Sequence, residues 1–63
     1  MASAMVNRDL QEANDLAKDV YAAVEDAELT RGRDRVEAAL VAVARLKSKL
    51  DLALVHMDSE ARA

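Results

Sequence analysis

The chain has 63 residues, a net charge of −3, 52% hydrophobic residues, one histidine, and no cysteine or proline. A domain this small has a marginal core of its own and commonly relies on disulfides, a metal or a partner. Disulfides and thiolate metal sites are excluded, and a lone histidine cannot build a histidine cage, so association is the expected source of the missing stability.

Residues Met1 to Val6 hold neither a basic n-region nor an apolar h-region of useful length. The longest apolar run, Ala38 to Ala44, falls far short of the roughly 20 residues that cross a bilayer. A cytoplasmic protein with no membrane partner is expected. The apolar residues are chiefly Ala, Val and Leu, a composition that disfavours disorder and favours helix.

The first predicted helix covers about residues 4 to 30. Val6, Leu10, Ala13, Ala17, Val20, Val24 and Ala27 recur at alternating spacings of four and three, as in a heptad seam. Leu16 and Ala23 widen the stripe on one flank, and the small Ala13, Ala17 and Ala27 permit close helix contact. The opposite face carries Asp9, Glu12, Asp15, Lys18, Asp19, Glu25 and Asp26. Ser3 and Asn7 are the candidate N-caps, with residues 1 to 3 expected to fray and Asp9 and Glu12 suiting the positive helix end.

A turn is predicted over residues 31 to 33. Gly32 is placed for a left-handed C-terminal cap, with Arg31 complementing the negative helix end.

The second helix is predicted over about 34 to 60, opening on Asp34-Arg35-Val36-Glu37, which reads as a capping box. Val36, Ala39, Val43, Leu46, Leu50, Ala53 and Met57 form its seam, broadened by Leu40 and Leu54. Val41, Leu52 and Val55 line up along another side of the same helix as a partner face, against a background of scattered surface apolars that any protein shows. One continuous rod is the poorer reading. Extending the first seam would bury Arg31, Asp34, Arg45 and Ser48, whereas the apolar pattern restarts two positions off that register.

The charges divide by sign. Up to Leu29, Arg8 and Lys18 stand against Asp9, Glu12, Asp15, Asp19, Glu25, Asp26 and Glu28; the remainder has a basic excess. Attraction between the helices follows, worth a few tenths of a kcal/mol per exposed pair and so a matter of partner choice and orientation. Overall acidity argues against nucleic acid as the partner. The basic groups that would serve one are Arg31, Arg33 and Arg35 at the turn and Arg45 mid-helix, with a solvated turn as the simpler reading.

Signals for chemistry are weak. His56 has Glu60 on its face and Asp58 nearby, but a metal would need ligands from symmetry mates. The Glu-x-x-His pattern of di-iron bundles is absent because Ala53 occupies the glutamate position. Glu12, Asp15 and Asp19 make an acidic edge without a histidine, and Tyr21 is expected to pack beside the seam with its hydroxyl in water. Neither an enzyme nor a cofactor is expected.

The expected fold is all-α: an antiparallel two-helix hairpin assembling as a homodimeric four-helix bundle. This layout resembles ROP-type dimeric bundles in architecture alone, with no shared motif, and implies no function. The expected interface is Leu10, Ala13, Ala17, Val20, Val24, Ala27, Val36, Leu40, Val43, Leu46, Leu50, Leu54 and Met57. The function expected is that of a homo-oligomeric adaptor, regulator or assembly module, as a dimer or tetramer. Two alternatives stand beside it: a nucleic-acid-binding regulator using the turn arginines, and a small subunit whose core is completed by another helical protein.

Overall fold

The computed structural model describes residues 4–62. They form two helices, α1 (Ala4–Thr30) and α2 (Arg33–Arg62), packed against each other as a hairpin. Helix α1 begins at Ala4, so Asn7 lies inside the helix and is not its cap; Ser3 and the fraying expected of residues 1 to 3 fall outside the described residues. Helix α2 starts one residue earlier and continues two residues further than the pattern indicated.

The connection consists of Arg31 and Gly32, and its chemistry differs from the expectation. Arg31, not Gly32, adopts the left-handed conformation, with φ 55°, and no glycine has positive φ. The Arg31 amide donates to the Ala27 carbonyl at 2.7 Å, the single bond that closes a helix in the αL motif. Gly32 then leads into α2: its carbonyl accepts from the amides of Arg35 and Val36 at 3.1 and 3.2 Å. The capping box does not form. With so short a turn Asp34 already sits in the first turn of α2, and the Glu37 carboxylate accepts instead from Arg33 Nε at 3.1 Å.

Among the described residues, three cross-helix polar contacts run antiparallel. Asp9 meets His56, Glu12 meets Lys49, and Asp26 meets Arg35, so numbers rise on α1 as they fall on α2. The facing residues are Val6, Asp9, Ala13, Leu16, Val20, Ala23 and Ala27 on α1, and Ala39, Ala42, Leu46, Lys49, Ala53 and His56 on α2, all buried or half-buried. Both lists keep heptad spacing.

Half of the predicted hairpin seam is therefore corrected. Val6, Ala13, Val20, Ala27, Ala39, Leu46 and Ala53 do face the other helix. Leu10, Ala17, Val24, Val36, Val43, Leu50 and Met57 are exposed. Except at Val36, their places are taken by the residues directly before them, about 100° around the helix. Small residues account for two of these exchanges, Ala23 for Val24 and Ala42 for Val43, and polar contacts across the helices accompany those at Asp9, Lys49 and His56. Asp9 is corrected too. Expected on the polar face, it is 5% exposed within the seam.

The hairpin is one layer thick, with extents of 48 × 14 × 9 Å and a radius of gyration of 14.6 Å. A compact chain of this length would have about 11 Å. Its buried apolar residues are Val6, Ala13, Ala39 and Ala53, and among the described residues no large side chain is fully buried.

Candidate functional site

The inter-helix seam is lined mostly by small residues, so the larger apolar side chains remain outside it. On α2, Val36, Leu40, Val43, Leu50, Leu54 and Met57 are all exposed, as are Leu10 and Val24 on α1. These α2 residues are regularly arranged. Together with Lys47 they recur at spacings of four and three along the whole helix, a second heptad seam turned away from α1. In that seam Leu40, Lys47 and Leu54 occupy the a positions, and Val36, Val43, Leu50 and Met57 the d positions. Leu10, Ala17 and Val24 follow the corresponding flank of α1. An apolar face thus extends along the hairpin.

Lys47 interrupts this face once, in its middle. Its Nζ lies 2.7 Å from the Asp51 carboxylate one turn further on, and its side chain is 74% exposed. Its neighbours in the repeat are apolar, and the amine reaches water and its counter-charge.

The surface area is consistent with an unsatisfied face. The chain exposes 5063 Å². A compact monomer of 6.9 kDa would expose about 4,000 Å². The excess, about 1,000 Å², is similar to the roughly 800 Å² each partner contributes to a standard protein–protein interface.

The expected partner face of Val41, Leu52 and Val55 divides in two. Val41 and Leu52 line an open groove with Leu16, Ala44, Arg45, Ser48 and Lys49, whereas Val55 borders a separate depression with Asp58, Ser59 and Arg62. The turn arginines do not act as one patch. Arg33 pairs with Glu37 and Arg35 reaches Asp26 at 3.3 Å, while neither Arg31 nor Arg45 forms an ion pair with the described residues. Tyr21, expected beside the seam, is 73% exposed in the hairpin.

No family model, curated protein or solved structure matches this chain. The site therefore rests on its own geometry.

Polar chemistry concentrates at two positions in the seam. The Asp9 carboxylate accepts from His56 Nδ1 at 2.5 Å, an arrangement the sequence pattern missed because it placed Asp9 and His56 off the contact line. Glu12 is held by Lys49 Nζ at 2.6 Å and Arg8 Nε at 3.1 Å. The Lys49 ammonium, and then the Arg8 guanidinium, keep its carboxyl below the usual range. Among the described residues no group of three or more His, Cys, Asp or Glu is placed to hold a metal ion, and no helix is long and apolar enough to cross a membrane.

Proposed function

We propose that this chain is a homo-oligomeric helical interaction module, an adaptor, regulator or assembly subunit whose active surface is the second seam of α2 with its α1 flank. The observation that carries the reading is that seam's regularity: heptad-spaced Val, Leu and Met side chains, 41 to 64% exposed, along a hairpin without another layer to cover them. Helices with an apolar stripe must bury it against another element. A second copy supplies the same stripe, so a two-fold pairing is self-complementary and yields a four-helix bundle.

Folding and association are then coupled. The seam within one hairpin buries chiefly alanine, which contributes little transfer free energy per residue. The dimer adds the Leu, Val and Met layers, and its stability depends on protomer concentration.

The test is light scattering after size exclusion, with circular dichroism over a dilution series. A mass above that of one chain, falling together with helicity on dilution, is the expected result. A fully helical monomer at every concentration overturns the reading. A weakly helical monomer overturns it as well, and shifts the core's completion to a different protein.

A further inference from the structure

We infer that the two copies pack α2 against α2 in antiparallel orientation, with Lys47 of each copy paired to the partner's Asp51. This inference rests on the self-association proposed above and specifies its geometry. Lys47 is the single charged residue in an otherwise apolar heptad seam. A lone polar residue at an a position selects register and oligomeric state at a cost in stability.

Parallel in-register packing stacks each a position on its own copy and would place two Lys47 ammonium groups in one layer. Such like-charge juxtaposition is strongly disfavoured. Antiparallel packing instead sets a positions against d positions. Of the registers that do so, the two with the greatest overlap put Lys47 opposite the partner's Val43 or opposite the partner's Leu50. Only the second brings the partner's Asp51, the next residue along, beside the Lys47 amine. It also places Leu40 against the partner's Met57 and Val43 against the partner's Leu54, so the layers beyond the two Lys47 positions are apolar.

The charge groups are already disposed for it. Asp51 occupies the e position flanking the a side of the seam, and its carboxylate lies 2.7 Å from Lys47 Nζ on the chain's own surface. Antiparallel pairing brings the e flanks of both helices to the same side. Two Lys47 and two Asp51 side chains then form an alternating four-charge cluster about the two-fold axis, with no net charge left in the seam.

Charge-swapped variants test this pairing apart from the contact within each helix. Lys47→Glu places like charges at both inter-chain contacts of its homodimer, and Asp51→Lys does the same with the opposite sign. Each alone is expected to weaken self-association by about tenfold or more. Mixed, the two variants restore both inter-chain pairs while the contact within each helix stays repulsive. Native mass spectrometry of the mixture is therefore expected to show the heterodimer well above its statistical share. A statistical distribution overturns the pairing.

Orientation is read separately from Val36→Cys under mild oxidation. In the antiparallel register the two introduced thiols are about 37 Å apart at 1.5 Å per residue, so no inter-chain disulfide is expected. In the same register Leu40→Cys mixed with Met57→Cys is expected to cross-link. Rapid disulfide formation by Val36→Cys alone overturns the antiparallel arrangement. A wild-type chain that is monomeric throughout fails the self-association reading itself, a result distinct from either of these.

Discussion

Asp9 and His56, 47 positions apart in the chain, meet at the open end of the hairpin, where the carboxylate accepts a hydrogen bond from the imidazole at 2.5 Å. The Asp9 side chain is 6% exposed and that of His56 24%. A carboxylate so placed is costly unless it is partnered, and His56 is its side-chain partner. The pair ties the beginning of α1 to the last turns of α2.

Removing one member is expected to be worse than removing both. His56→Ala leaves the buried carboxylate unsatisfied and is expected to destabilise the fold by about 1–3 kcal/mol. The double replacement Asp9→Leu with His56→Leu is expected to lie closer to wild type, or above it, because no polar group remains to desolvate. Chemical denaturation followed by circular dichroism at fixed protein concentration compares them. Equal losses for His56→Ala and the double variant would rule out an energetic role for the pair.

The turn offers a stabilising substitution. Arg31 holds φ 55°, a region that costs a side-chain-bearing residue roughly 1–2 kcal/mol. Arg31→Gly is expected to recover about 1 kcal/mol of that, less the backbone entropy that glycine adds to the unfolded chain. Gly32→Ala should bring no gain, since an added Cβ would stand 2.8 Å from Asp34 Oδ1. A higher melting temperature for Arg31→Gly checks the assignment of the cap.

Large and small residues should respond in opposite regimes. Ala53 is 3% exposed at the helix–helix contact, so Ala53→Leu is expected to overpack the hairpin and cost about 1–3 kcal/mol. Leu50 is 43% exposed in the single hairpin. Leu50→Ala should therefore cost about 2–5 kcal/mol per copy only where association buries it, and Leu50→Asp should lower the mass seen by light scattering. Unchanged association of Leu50→Asp would remove Leu50 from the interface.

Acid sensitivity has a definite sign at Glu12. Its folded pKa is depressed by Lys49 first and Arg8 second, so its contribution is fully present above the ordinary glutamate value of 4.5 and is lost as pH falls through the lower folded value. Glu12→Gln is expected to flatten this part of the acid limb, and Lys49→Met to do the same. Thermal melts from neutral pH down through the acid range at constant ionic strength provide the measurement. An acid limb identical in wild type and Glu12→Gln would exclude the linkage.

Much of the fold was legible from residue spacing. The absence of proline, the 4–3 apolar rhythm and its restart after Thr30 indicate two long helices and a short connection. The opposed charges of the two halves agree with the antiparallel pairing of Glu12 with Lys49 and Asp26 with Arg35. The candidate surface was legible in its members but not in its location. Leu50, Val43 and Met57 share one heptad-spaced line, and the hairpin leaves that line facing outward.

Sequence alone determined that each helix carries a heptad-spaced apolar arc, because spacing along a helix is a local property. It could not decide which edge of that arc turns inward. Residues 9 and 10, 16 and 17, or 42 and 43 are chain neighbours about 100° apart, and either member of each pair satisfies the same repeat. Tertiary structure turned Asp9, Leu16, Ala23, Ala42, Lys49 and His56 inward, with alanine in place of valine at 23 and 42 and cross-helix polar contacts at 9, 49 and 56. The same choice enclosed Asp9 with His56 and left Leu40, Leu50 and Leu54 on the outside.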